Sequence, residues 1–248
     1  MELLSPDPNT VEEVSRIENI RKSIRKRAAL WQQKFADFDS TRGQSHQLAT
    51  AVLRIRLCTT TILLFAEADN CVMSWDQMEA AFDDVLEQAQ HIIHLREARM
   101  DSFLNHKTQG RAVTVAPMIN ECLYVTVRLC RSPDIRRRAV ALLRDDFFLS
   151  PTIDTALYIG MSEALINIEE KSWVNSTRQN PASTCGCIFH QLICQGHRVR
   201  ATAMEYPSEG TAILCAKTYN DIENYRPWQK VDVAYGAYKG KERPVPSM

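Results

Sequence analysis

The sequence predicts a mainly α protein: a multi-helix bundle that ends in a small C-terminal antiparallel β appendage. Three observations predict it. From about residue 12 to residue 171, apolar side chains recur at steps of three and four, the repeat of a helix face. After about Ser183 the pattern turns to alternation, the repeat of a strand with one buried face. The 248 residues are 45% apolar and 24% charged, an ordinary globular make-up for one large domain or a domain with an appendage.

Residues 1–11, with Pro6 and Pro8, are expected to form a disordered lead. Ile17, Ile20, Ile24, Ala28, Trp31, Phe35 and Phe38 then mark one face of a first helix, Val14 to Phe38, whose other face carries Arg21, Lys22, Arg25, Lys26 and Arg27. The polar stretch Asp39 to Arg42, ahead of Gly43, predicts a turn. A second helix is expected from Ser45 to Ala68. Leu48, Val52, Ile55, Thr59, Ile62 and Ala66 form its inward stripe, and Leu53, Leu57, Leu63, Leu64 and Phe65 widen it, which predicts burial on most sides. Ser74 with Gln77 has the spacing of a capping box and opens a third helix on Trp75, Met78, Phe82, Val85, Ala89, Ile92 and Ile93.

Pro117 opens a fourth helix with Ile119, Leu123, Val127 and Cys130. Ser132-Pro133 ends it and starts a fifth, since serine suits the cap and proline the first helical position. There Ile135, Ala139, Leu142 and Leu143 are assigned inward and Arg136, Arg137 and Arg138 outward. Ser150-Pro151 repeats the start signal before a sixth helix with Leu157, Met161, Ala164, Leu165 and Ile168. The helical domain thus spans 12–171, a β-hairpin or meander 172–235, and a disordered tail 236–248. Asn175 to Thr184 reads as a loop and Gln195-Gly196-His197 as a turn. Strands are expected at Cys187–Cys194, Val199–Tyr206 and Thr211–Tyr219, with Val199, Ala201, Ala203, Ile213 and Cys215 sharing a face.

Thirty basic and thirty acidic residues give no net charge, which argues against a chain that wraps nucleic acid by electrostatics alone. No apolar run approaches the ~20 residues of a membrane span, so no membrane is expected. The opening MELLSPDPNTVEE has no apolar signal core, and the protein is expected to be intracellular, with its eight cysteines reduced. Cys58, Cys71, Cys122 and Cys130 are assigned as small buried hydrophobes.

The segment Arg128-Leu-Cys-Arg-Ser-Pro-Asp-Ile-Arg-Arg-Arg-Ala-Val-Ala-Leu-Leu-Arg144 resembles the C-terminal regulatory region of fungal zinc-cluster transcription factors. There a helix ends in a basic Cys-Arg-x-Pro segment and an Ile-Arg-Arg-x-Ala-x-x-Leu-Leu helix follows. Ala51-Val-Leu-Arg-Ile-Arg-Leu-Cys-Thr-Thr60, Ala164-Leu-Ile-Asn-Ile-Glu-Glu170 and the β ending are similar in kind and order, and the resemblance covers about residues 25 to 230. It implies a regulatory, non-catalytic effector domain, located in the nucleus, that contacts protein partners or senses a small apolar ligand, in the setting of a secondary-metabolite gene cluster. DNA-binding members carry six N-terminal cysteines that hold two zinc ions, and no cysteine precedes Cys58 here. Direct sequence-specific DNA binding is therefore not expected. The alternatives are a truncated regulator, or an enzyme or accessory small-molecule-binding protein of a biosynthetic pathway on the same scaffold, since fold does not fix function. Without the resemblance, the location would be cytoplasmic.

Several constellations have the residue types of a site. Cys185, Cys187, His190, Cys194 and His197 are zinc-competent, but alternation along a strand would split them between faces. His91 and His94 with Glu97 share a helix turn but lack a donor from a second helix. Asp83-Asp84-x-x-Glu87 looks like the acidic magnesium motif of helical terpene synthases, with only Asn220-Asp221-x-x-Asn224, expected outside a helix, as partner. The basic runs Arg21–Arg27 and Arg136–Arg138 would serve phosphate contact or nuclear import if they were not simply solvated faces. Asn175-Ser-Thr177 is a glycosylation sequon that matters only in a secreted chain. No nucleophile elbow, Gly-rich phosphate loop or His-Glu-x-x-His occurs. No catalytic, cofactor-binding or metal residue is therefore assigned, and no cofactor is expected. A pocket, if formed, is expected between the helices at 45–68, 74–98 and 117–130, with Met73, Met78, Met118, Met161, Trp75, Phe82 and Phe103 as candidate lining.

Overall fold

The computed structural model describes residues 8–41, 47–65, 72–106, 119–149, 153–179, 193–208 and 211–234. The chain is mainly α with a small three-stranded antiparallel sheet near its C-terminus. Helices α1 (Pro8–Thr41), α2 (Gln47–Phe65), α3 (Glu79–His106), α4 (Asn120–Leu129), α5 (Pro133–Leu149) and α6 (Ile153–Gln179) precede strands β1 (Val199–Ser208) and β2 (Thr211–Thr218). A short helix, α7 (Tyr219–Glu223), then leads to strand β3 (Gln229–Ala234).

The helix faces read from the sequence meet in a common core. Ile55 and Ile62 of α2, Phe82, Val85, Leu86 and Ala89 of α3, Leu123 and Val127 of α4, and Leu143 of α5 pack into one buried cluster. Burying side chains of this size contributes about 1.5–3 kcal/mol each. A second cluster joins Ala164, Leu165 and Ile168 of α6 to Ala212, Leu214 and Ala216 of β2 and Val233 of β3. Helix α6 is apolar on two sides because it serves both clusters, Ile159 in the first and Leu165 in the second. Tyr124 and Tyr158, with ring centroids 5.3 Å apart, lie where the clusters meet. The sheet is thus docked on the bundle through α6. Close approach at Gly160 permits it, since a Cβ there would lie 2.5 Å from Val233 Cγ1.

The sheet is a β1-β2-β3 meander. Residues Ala212, Leu214, Ala216 and Thr218 of β2 face the core. Ala201, Ala203, Ile213 and Cys215 do share a face, but it is the outer one, where Lys230 holds Glu205 at 2.8 and 2.9 Å. Val199 alone leaves that face, at a bulge: it pairs with Thr218 but Ala201 with Lys217, so Arg200 is an extra residue that flips the side-chain phase of β1. Val199 packs with the second cluster, and Ala201 and Ala203 fall out of phase with it.

Several boundaries differ from the sequence expectation. Helix α1 begins at Pro8, inside the expected lead, and runs to Thr41, into the expected turn. Ser74 lies within a 3-10 turn, Val72–Met78, and α3 starts only at Glu79. Helix α6 continues to Gln179, through the sequon and five residues of the expected loop; polar residues on an exposed helix end mimic loop composition. The third described strand is Gln229–Ala234, carrying Val231 and Val233, a segment to which the sequence assigned no strand, while residues 187–192 of the strand expected at Cys187–Cys194 lie outside the described residues. Of that segment Ile193 and Cys194 are described, and they precede a 3-10 turn at Gln195–His197. The expected cap at Ser150-Pro151, the start at Pro117 and the tail 236–248 lie outside the described residues.

Candidate functional site

The largest departure from the expected surface is Arg136. Assigned outward with Arg137 and Arg138, it is 0% exposed. Its Nε donates to the Val127 carbonyl at 2.9 Å. Its Nη2 lies 2.7 Å from Glu169 Oε2 as an ion contact, and its Nη1 has no hydrogen-bond partner. Arg198, at the foot of β1, donates from Nη1 to the Cys130 carbonyl at 2.9 Å and to Glu169 Oε2 at 3.0 Å, and from Nη2 to the Arg128 carbonyl. Glu169 Oε1 accepts from Val199 N–H at 2.7 Å. Arg131 donates to the Ile193 carbonyl at 2.8 Å and pairs with Asp76. The carbonyls of Val127, Arg128 and Cys130 belong to the C-terminal end of α4, which carries unpaired acceptors and a partial negative charge. Two guanidiniums cap that end, and one carboxylate from α6 ties both to the start of the sheet. Burial pulls the Arg198 guanidinium down to about 10 against the opposing pull of Glu169. Each guanidinium and the carboxylate is held by at least one other group of the chain, with Arg198 Nε, like Arg136 Nη1, left without a hydrogen-bond partner, so the cluster is a structural clasp.

The opposite arrangement occurs between α1 and α2. The two helices run antiparallel: Arg25 donates to the Leu64 carbonyl at 3.2 and 3.4 Å, and Gln32 Nε2 to Thr61 Oγ1 at 2.9 Å. On one side they leave a groove. One part, about 360 Å³, is lined by Ile24, Ala28, Trp31 and Phe35 of α1 and Leu53 and Leu57 of α2, with Arg27, Arg56 and Thr60 at its edge. A part of about 470 Å³ overlaps it and extends past Leu30 and Lys34 to Phe38. Trp31 is 61% exposed, Leu53 41% and Ile24 42%. The charged residues that line both parts, Arg27, Lys34 and Arg56, are all cationic. A contiguous apolar surface with a polar rim is the usual form of a docking or ligand site.

The expected pocket deeper in the bundle falls on packed residues. Trp75 and Phe82, 6.4 Å apart between centroids, belong to the first cluster with Met78, and Met161 packs with the second. The side chains of Met73, Met118 and Phe103 lie outside the described residues. Helix α2 also differs from expectation. Its stretch Gln47–Leu64 is long and apolar enough to cross a membrane by length and composition, while Ala51, Val52, Ile55, Thr59 and Ile62 are buried in the bundle. Leu53 and Leu63 remain exposed, so the helix is not buried on most sides.

The other constellations do not assemble a site among the described residues, where no group of three metal-competent side chains occurs. His94 Nδ1 sits 3.4 Å from Glu97 Oε2 on an exposed turn, and His91 is exposed beside it. Asp83 accepts from Arg138 at 2.8 Å, whereas Asp84 and Glu87 face solvent. Asn220 and Asp221 do lie in a helix, the short α7, but Asp221 completes its capping box with Thr218 and accepts from Gln229 at 2.6 Å. Burial would raise the Asp221 carboxyl, yet these hydrogen bonds hold it below the ordinary value. Cys194 Sγ and His197 Nδ1 approach to 3.5 Å, while Cys185, Cys187 and His190 lie outside the described residues. Cys122 and Cys130 are buried, Cys58 is half-buried, and burial raises all three thiols, Cys130 to about 11, so they behave as small hydrophobes. The first basic run lies along the solvent side of α1: Lys22, Arg25, Lys26 and Arg27 are exposed. The groove was missed because its apolar residues carry core periodicity, which cannot tell a covered face from an open one. No family model, no curated protein and no solved structure matches this chain.

Proposed function

We propose that the protein is a non-catalytic regulator that works through the α1–α2 face by binding another polypeptide. It is transcription-factor-like in the sense of the resemblance around Arg128–Arg144, acts in the nucleus and does not bind DNA specifically by itself. The observation that carries the reading is the apolar groove beside an exposed tryptophan, in a molecule whose buried charged groups are bound to one another. Aromatic anchors with a charged rim are the surfaces on which protein contacts concentrate. The test is to tether the chain to an unrelated DNA-binding module and follow a reporter gene. Reporter output should change against the module alone, and Trp31→Lys with Leu53→Lys should abolish the change while circular dichroism stays the same. Output equal to that of the module alone would sink the regulatory reading.

A second reading rests on the groove volume of about 360 to 470 Å³, which suits a small apolar ligand of a biosynthetic pathway. It expects a rise in melting temperature with an apolar metabolite, by mass action, that Trp31→Lys removes.

A further inference from the structure

We propose that the groove seats one helix of a partner protein, an acidic amphipathic segment of about four turns. The inference rests on reading the α1–α2 face as a protein-contact surface, and it states what the partner presents. Shape calls for a helix. Along α1 the apolar lining runs from Ile24 to Phe38, about 21 Å at 1.5 Å per residue. Ala28, Phe35 and Leu57 lie half-buried in it, while Trp31 and Leu53 stand exposed. A planar surface would touch Trp31 and Leu53 and leave the half-buried residues uncovered. A row of apolar side chains three and four apart on one helix reaches between two others, as ridges pack into grooves.

Charge states which helix fits. The whole chain has as many acidic as basic residues, but the segments that form the groove do not. The stretch of α1 between Glu18 and Asp37, together with all of α2, holds eight Lys and Arg and no Asp or Glu. Arg25 and Arg56 are engaged inside the molecule, by the Leu64 carbonyl and by Glu121 at 2.7 Å. Arg27 and Lys34 are exposed and make no ion pair among the described residues. Seven residues apart, they stand about two turns from each other on one flank of the stripe, away from Arg25 and Gln32, which face α2. A partner helix lying along α1 has the same rise per residue, so it answers them with carboxylates seven residues apart at the edge of its apolar face. Apolar burial on Trp31 and Leu53 supplies the affinity, and the charges supply the selection. A second copy of α1 does not meet this requirement, because Glu12, Glu13 and Glu18 in its first half are balanced by Arg16, Arg21 and Lys22.

The experiment is a fluorescence-anisotropy titration of the full chain with labelled peptides of about sixteen residues, enough for four helical turns. One carries leucines three and four apart with Glu at two flanking positions seven apart. A second has Lys at those two positions, and a third has the acidic composition in scrambled order. The acidic amphipathic peptide should bind, more weakly at high salt, the lysine peptide about tenfold less tightly, and the scrambled one not at all. Arg27→Glu with Lys34→Glu should reverse the preference, so that this variant binds the lysine peptide better than the acidic one. Trp31→Lys with Leu53→Lys, folded by circular dichroism, should bind neither. Equal binding of the acidic and lysine peptides, lost in the Trp31 and Leu53 variant, overturns the acidic partner and leaves the contact surface standing. Binding of no peptide overturns the helical partner, and the contact surface then stands or falls with the reporter experiment. A wild-type chain that ignores the acidic peptide but forms a dimer in sedimentation, or floats with phosphatidylserine vesicles, in either case only with Trp31 intact, overturns the proposal in favour of a second copy or a lipid surface.

Discussion

Two regions of the molecule reverse the usual placement of side chains, in opposite senses. At the α4–α5 turn, charged groups are buried: Arg136, Arg198 and Glu169 are all nearly inaccessible. Between α1 and α2, large apolar groups are exposed: Trp31, Ile24 and Leu53. The first reversal is stable because each charge is answered by a helix-end carbonyl or an opposite charge. Backbone acceptors at a helix terminus need donors in any case, and arginine provides several in a fixed fork. The second reversal has no such compensation among the described residues. Apolar surface left in contact with water costs about 25 cal/mol per Å², so a partner that covers it gains that free energy. The clasp holds the fold together, and the groove is left for function.

The sharpest way to break the contrast is Glu169→Ala. It leaves Arg136 and Arg198 buried with no carboxylate and strips Val199 N–H of its acceptor. Removing one partner of a buried ionic cluster costs about 3–5 kcal/mol, and urea unfolding should show that loss. A loss within about 0.5 kcal/mol, the usual range for a surface substitution, would mean the clasp is not structural.

Next in size is Gly160→Ala. Alanine in a helix gains up to about 1 kcal/mol over glycine, but here the new Cβ meets Val233 Cγ1. Overpacking costs about 1–3 kcal/mol, so a net loss of roughly 1 kcal/mol is expected. Val233→Ala in the same chain should relieve part of it, and a double-mutant cycle measures that coupling.

A smaller effect appears with acid. The Asp221 carboxyl lies below its ordinary value of 3.8 in the folded chain, so the unfolded chain takes up its proton at higher pH. The stability it contributes is present above that ordinary value and is lost as pH falls through the lower folded value. Asp221→Asn should therefore flatten the fall in urea midpoint between about pH 5 and 3, relative to wild type. Equal slopes would show that the capping box does not depend on the charge.

The smallest effect is expected at the groove. Trp31→Lys removes a large aromatic side chain, yet thermal unfolding of the monomer should shift by no more than about 0.5 kcal/mol, because the ring is mostly in solvent. Combined with Leu53→Lys, the same substitution should abolish the reporter response. A loss of several kcal/mol would place Trp31 in the core and remove the contrast.

Local repeats in the sequence carried much of this architecture. Steps of three and four in Trp75, Phe82, Val85, Ala89 and Ile92 mark the buried face of α3, and Ser132-Pro133 marks the start of α5, because helix geometry and capping act within a few residues. The hairpin Val199–Thr218 was legible for the same reason. Tertiary structure alone decided the rest. Arg136 sits on the polar side of its helix by periodicity, and only the end of α4 and Glu169, brought there by chain segments far apart in sequence, turn that side into an interior. The inward side of Val199, opposite to that of Ala201 and Ala203, depended on one extra residue at Arg200, which alternation cannot register. Trp31 and Phe82 occupy equivalent places in their helical repeats, yet one is exposed and the other buried. Periodicity states which side of a helix is apolar; whether anything covers that side is set by how many other elements pack against it. Among the described elements, α2, α4, α5 and the 3-10 turn Val72–Met78 pack on α3, whereas the main neighbour of α1 is α2.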